Sequence, residues 1–305
     1  MIEAKNLLKS FGSVKAVDDV TFSIELGTVV GFLGPNGAGK STTLRLLTGY
    51  LAADRGTAKI CGQDIKEDRR RAQACLGYLP EAATGFPYLT VREFLSFCGE
   101  SRGLKGKALV TATEQTCERV ELRPALDRQM RTLSKGWRQR AWLAQAILLD
   151  PPVLILDEPT DGLDPEGIKW FRDFILRLRA ERGMTVLFNS HLLPEVEQMC
   201  DRVAIVRRGR KVYDGELAGI ADDHVKLEIE ADPAGQASAC YRKLGGRELE
   251  EGRRVIFPEG TDPAEVARAL VKAGVDLRKL NPVRRSLEDV YLEVTGCLDG
   301  EEGEQ

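Results

Sequence analysis

Lys40 and Ser41 close a glycine-rich stretch, Gly34-Pro35-Asn36-Gly37-Ala38-Gly39-Lys40-Ser41, that satisfies G-x-x-x-x-G-K-[ST]. Each residue type in that pattern suits a phosphate. Glycines let backbone N–H groups converge on phosphate oxygens with no Cβ in the way. The lysine can reach the β- and γ-phosphates, and the serine hydroxyl is placed to ligate Mg²⁺. The helix that opens here, with Thr42 in its first turn, points the positive end of its dipole at the same anion. A nucleotide site is expected.

A second reactive group lies far along the chain. Val153-Leu154-Ile155-Leu156 is an unbroken apolar run ending in Asp157 and Glu158, as in a strand buried on both faces of a parallel sheet. Carboxylates there are costly to bury without a cation or hydrogen-bond donors. Asp157 suits the hydration shell of Mg²⁺, and Glu158 can polarise an attacking water. The strand Thr185 to Phe188 ends at Asn189-Ser190-His191. A histidine at that edge can donate to the γ-phosphate or orient the water.

Four further positions read two ways. Glu81, after the short strand Leu76 to Leu79 and Pro80, either faces the metal or is a solvated turn residue. Phe11, beside Gly12, either stacks on a nucleotide base or fills the core. Ser134 is a natural N-cap and, with Gly136, offers a hydroxyl and an N–H at a helix start. That is either a second anion site or only a well-capped helix.

The intervening pattern supplies the elements that must hold these groups. Residues 1 to 27 alternate as an antiparallel hairpin with Gly12 and Asp18-Asp19 as turn chemistry. Gly56 to Gly62 reads as a strand and Asp68 to Ala74 as an exposed helix start. Thr90 with Glu93 makes a capping pattern for a helix through Cys98, and Ala108 to Val120 is a second helix. Ser134 opens a long helix through Leu149. Asp161-Gly162-Leu163-Asp164-Pro165 leads into another helix, to about Arg182, and Val203 to Val206 pairs with Lys211 to Tyr213 as a closing hairpin.

The chain has 305 residues, 43% of them hydrophobic, and a net charge of −3. This is a globular composition without the basic footprint of a nucleic-acid binder, so no nucleic-acid partner is expected. The 7 cysteines show no C-x-x-C pair, and 2 histidines, His191 and His224, are too few for a metal cluster. Neither a signal peptide nor a membrane span is expected from the pattern.

Taken together these pieces resemble the nucleotide-binding subunit of an ABC transporter. Phe11 matches the adenine-stacking aromatic loop, Gly34 to Ser41 the Walker A, Pro80-Glu81 the Q-loop and Leu133 to Trp137 the signature motif. Leu156 to Glu158 matches the Walker B, Asp164 the D-loop and His191 the switch histidine. They occur in family order over about residues 2 to 220. Two departures stand out: Glu81 replaces the family's usual glutamine, and LSKGW replaces LSGGQ through Lys135 and Trp137. Such variants resemble the branch that partners ABC-2-type exporter membrane subunits.

The resemblance implies a P-loop NTPase ABC ATPase fold with a mixed sheet core, an antiparallel β subdomain and a helical insertion at about 82–150, all within 1–220. It implies ATP and Mg²⁺ as cofactors, with the metal held through Ser41, Asp157 and Glu81, and catalysis by Lys40, Glu158 and His191. It further implies a homodimer in which Ser134 and Gly136 complete the partner copy's nucleotide site, Asp164 as a further nucleotide-binding residue, and an integral membrane permease subunit of the ABC-2 type. The expected location is the cytoplasm, peripheral on the inner face of the cell membrane. An importer ATPase or a soluble non-transport ABC ATPase is the alternative. Residues 221–296 read as a small C-terminal accessory α/β domain, of dimer-stabilising or regulatory kind, and 297–305 as an acidic tail.

Overall fold

The computed structural model describes residues 1–82, 84–219, 224–249, 254–258, 260–283 and 286–296. The acidic tail and the expected boundary at 220–221 lie outside them. The chain divides into two compact units, Met1–Leu217 joined by the segment from Glu293, and Ala218–Leu292.

In the first unit, β1 (Ile2–Phe11) and β2 (Val14–Ile24) form the antiparallel hairpin, turning at Gly12. Asp18 and Asp19 are not a turn. They lie inside β2, where Asp19 takes a positive φ and accepts from Asn6 Nδ2 at 2.7 Å across an irregular stretch of the pairing. A bulge meets the same backbone demand that a turn would. Next come β3 (Val29–Leu33), the glycine-rich loop and α1 (Lys40–Leu47). β4 (Arg55–Ile60) and β5 (Gln63–Asp64) complete a four-stranded sheet, ordered β2-β1-β4-β5.

After α2 (Arg69–Ala74) and β6 (Leu76–Leu79), the chain turns all helical: α3 (Val91–Ser101), α4 (Gly106–Arg119) and α5 (Lys135–Ile147). The Thr90–Glu93 capping box is complete at α3, and the Ser134 hydroxyl caps α5. Then follow β7 (Val153–Asp157), α6 (Pro165–Arg182), β8 (Thr185–Asn189), α7 (Leu193–Met199), β9 (Arg202–Arg207) and β10 (Arg210–Glu216).

The six-stranded sheet runs β10-β9-β3-β8-β7-β6, parallel except for the β9–β10 hairpin. Every residue of β3, β7 and β8 is buried, as expected of parallel strands covered on both faces. α1 docks through Leu44, Leu46 and Leu47 into a core shared with Phe32, Ile155 and Leu187. The mixed sheet, antiparallel subdomain and helical insertion are those of the expected fold. No helix among the described residues is long and apolar enough to cross a membrane.

The second unit runs β11 (His224–Asp232), α8 (Ala234–Lys243), β12 (Arg247–Leu249), β13 (Arg254–Pro258), α9 (Pro263–Lys272) and β14 (Asp276–Val283). Its sheet is ordered β12-β13-β11-β14 with every pairing antiparallel. This is the split β-α-β arrangement of ferredoxin-like folds. Leu227, Ile229, Tyr241, Phe257, Val266 and Leu270 form a core of its own. The last helix is α10 (Leu287–Thr295).

Candidate functional site

β3 lies next to β8, which lies next to β7, so the glycine-rich loop and both carboxylates emerge at one carboxyl edge of the sheet. This is where open α/β sheets bind ligands. The loop is gripped by its neighbours. A Cβ at Gly34 (φ +155°) would fall 2.3 Å from the Val206 carbonyl, and one at Gly39 (φ +101°) 2.1 Å from the Ala16 carbonyl. Gly209 N–H donates to Ala38 O at 3.0 Å, and Asp18 N–H donates to Gly209 O at 2.8 Å.

Lys40 folds back into this loop, its Nζ donating to Gly34 O at 2.7 Å and Pro35 O at 3.3 Å. Burial pulls its pKa below the ordinary lysine value, while Glu158, Asp157 and Glu81 oppose the shift. One ammonium thus sits amid three carboxylates. α1 has no acidic residue in its first turn and no side-chain cap, which leaves its amide end to an anion.

The Ser41 hydroxyl donates to Asp157 Oδ1 at 2.9 Å, and Asn189 Nδ2 donates to the same oxygen at 2.7 Å. Asp157 Oδ2 is buried with no hydrogen-bond partner. A buried carboxylate oxygen so placed needs a cation, and with the serine hydroxyl beside it the donor set fits Mg²⁺. Glu158 has φ +48°, its N–H donates to Asn189 Oδ1 at 2.6 Å, and its Oε2 lies 2.9 Å from His191 Nδ1.

Asn189 is the site residue that sequence reasoning missed. The register pairs it directly with Asp157 across β7 and β8, so its amide faces both acidic positions at once. Its place at a strand end one residue short of Ser190-His191 was visible. What the amide holds depends on the neighbouring strand.

A cavity of about 400 Å³ lies over the loop, lined by Phe11, Asn36, Gly37, Ala38, Gly39, Lys40, Ser41, Thr42, Glu81 and Glu158. Phe11 is 51% exposed at its rim, which removes the core reading of that residue. A larger cleft of about 710 Å³, lined by Tyr50, Arg69 and Arg102 among others, holds no loop glycine and neither strand-end acid.

Of the expected residues, Gly34, Pro35, Asp157, His191, Ser134, Gly136 and Asp164 do not line this cavity. Ser134 accepts from Trp137 N–H at 3.3 Å as the α5 cap, and Asp164 accepts from Gly167 N–H at 2.8 Å as the α6 cap. A Cβ at Gly136 would meet nothing nearer than Leu163 Cδ2 at 3.9 Å, an ordinary contact, so the position is uncrowded.

A phosphate loop with a buried lysine and a serine-bound aspartate, on a mixed sheet interrupted by helices, defines a P-loop nucleoside triphosphatase. The sequence profile of the ABC transporter family matches residues 17–161. The ABC transporter ATP-binding protein YhcH of Bacillus subtilis (strain 168) is 34% identical over 301 residues, 97% of this chain and 96% of the relative. The Nod factor export ATP-binding protein I of Burkholderia lata is 34% identical over 306 residues, 97% of each chain. A solved ATP-binding subunit of an ABC transporter superposes with TM-score 0.65 at 26% identity, covering 89% of this chain and 99% of that one. The chain belongs to the ABC transporter family as an ATP-binding subunit, and it is an ATPase.

Proposed function

We propose that this subunit powers export: two copies clasp ATP head to tail, and closing and reopening of the pair drives a separate ABC-2-type membrane permease. The observation that carries the reaction is Asp157, with one oxygen held by Ser41 and Asn189 and the other buried without a partner. In this reading the loop from Gly34 to Gly39 and the first turn of α1, through Thr42, wrap the phosphates, Lys40 contacts their outer oxygens and Phe11 stacks on adenine. Ser41 and Asp157 hold Mg²⁺, with Glu81 facing it. When bound, that ion neutralises charge developing on the γ-phosphate.

Glu158 takes the proton of the attacking water, and His191 orients that carboxylate through Nδ1. Ser134 and Gly136 do not line the cavity, and in this reading each copy supplies them to its partner's nucleotide, with Asp164 beside them. The Nod factor export relative, matched over nearly its whole length, supports the export direction.

In this reading the permease is a separate chain and this subunit sits on its cytoplasmic side. The loop before α3 supports a docking place for that permease. Tyr88 is 71% exposed there, and Phe86 packs 5.2 Å from the half-exposed Phe97 ring. The second unit has its own core and no phosphate loop, which suits stabilising or regulating the dimer.

Replacing Glu158 by Gln is expected to abolish steady-state turnover while preserving ATP-induced dimers, read by phosphate release and light scattering. Unchanged ATPase activity would refute the role of Glu158.

A further inference from the structure

Lys135 and Asp161 have no part in the reaction so far, yet they lie where its two halves meet within one chain. Lys135 is the first residue of α5, between Ser134 and Gly136, and its Nζ lies 2.9 Å from Asp161 Oδ2. Asp161 closes a turn that begins at Glu158, its N–H donating to Glu158 O at 3.2 Å. The lysine crosses Gly162, where a Cβ would fall 2.1 Å from Nζ, so any side chain there would displace the ammonium. One helical turn further along α5, Gln139 Nε2 donates to Pro159 O at 2.7 Å.

The start of α5 therefore grips the segment after Glu158 at two points. That segment needs holding, because a glutamate at φ +48° persists only where its surroundings over-determine it. The Lys135 hydrogen bond holds the Asp161 carboxyl below its ordinary range despite some burial, with smaller help from the charges of Lys135 and of His191. His191 itself touches Glu158.

We propose that Lys135 is a positioning residue: through Asp161 it ties the Glu158 turn to the start of α5. The grip of α5 on the partner copy's nucleotide then sets the pose of this chain's own Glu158. The tie rests on the head-to-tail reading above. It joins two positions of this particular sequence, the lysine that stands in place of a signature glycine and the aspartate four residues beyond Asp157. An exposed ion pair adds little to folding stability and is screened by salt, so its effect belongs in turnover and not in melting.

The test compares full-length Lys135→Ala, Asp161→Ala and the double exchange Lys135→Asp with Asp161→Lys, assayed with ATP and Mg²⁺. Each single change is expected to lower kcat about tenfold or more through loss of alignment. KM for ATP should stay within about twofold and the Hill coefficient should fall toward 1, the value for uncoupled sites. The exchanged pair is expected to recover at least half of the lost kcat and cooperativity, which a merely structural lysine would not do.

Singles that keep wild-type kcat and Hill coefficient overturn the proposal. So does an exchanged pair as impaired as the singles, since Lys135 would then act on phosphate directly. The Glu158→Gln background separates the two readings. ATP-induced dimers that persist there while the singles behave as wild type overturn the tie alone, whereas loss of those dimers overturns the head-to-tail reading and the tie with it.

Discussion

Two helices of the first unit, α1 and α5, open on a lysine with no acidic residue in their first turn, and the two openings differ in nearly everything else. At α1 the cap is a left-handed glycine, the loop is locked by neighbouring carbonyls, and Lys40 is 8% exposed with its ammonium on loop oxygens. At α5 the cap is a serine side chain, Gly136 is uncrowded, and the Lys135 side chain is 53% exposed with its ammonium on Asp161. An anion-binding helix end finished within the chain is buried and desolvated, where each interaction is strong. In the head-to-tail reading, an end finished by another copy stays in water until that copy arrives.

The largest effect should come from the buried lysine. Lys40→Ala removes a preorganised, buried charge from the phosphate loop and is expected to lower kcat by roughly 10²-fold or more, against about tenfold for Lys135→Ala. Steady-state phosphate release from the two variants side by side checks this, and equal losses would erase the contrast between the helix ends.

An intermediate effect is expected at Asn189. Asn189→Ala strips a donor from Asp157 and an acceptor from Glu158 N–H, both at a buried position. It should cost about 2 kcal/mol of stability, a fall in Tm of roughly 4–8 °C. Thermal melts of the nucleotide-free chain read this, and a fall under about 1 °C would show that the acids do not depend on that amide.

The smallest effect belongs to Asp161. Lys135 holds its folded-state pKa below the ordinary 3.8, so the pair's contribution is present above that value and is lost as pH falls through the lower folded-state one. The pair is more than half exposed, which limits that contribution to about 1 kcal/mol or less. Denaturant melts of wild type and Asp161→Asn should differ by no more than this at pH 7 and converge in strong acid. A larger gap at neutral pH would make the tie structural.

Much of this was legible in the residues because the signals are local. Glycine spacing, the apolar run into Asp157, the Thr90–Glu93 box and the Ser134 cap each act within a few residues, so a linear reading finds them. The short β5, α7 and β12 went unread, since two to seven residues carry too little periodicity to announce themselves. Asp18-Asp19 misled because a bulge and a turn ask the same thing of a backbone.

The amino-acid order by itself determined the phosphate loop, the capped helix starts and the alternation of strands and helices, because backbone sterics and neighbouring side chains settle these over a few residues. Only the tertiary structure decided that Asn189 bridges the two acids, that Phe11 stands at a cavity rim, that Lys135 reaches Asp161 and that the second unit's strands order as β12-β13-β11-β14. Those outcomes depend on contacts between residues far apart in the chain, and strand register and packing, not spacing along the sequence, bring them within hydrogen-bonding distance.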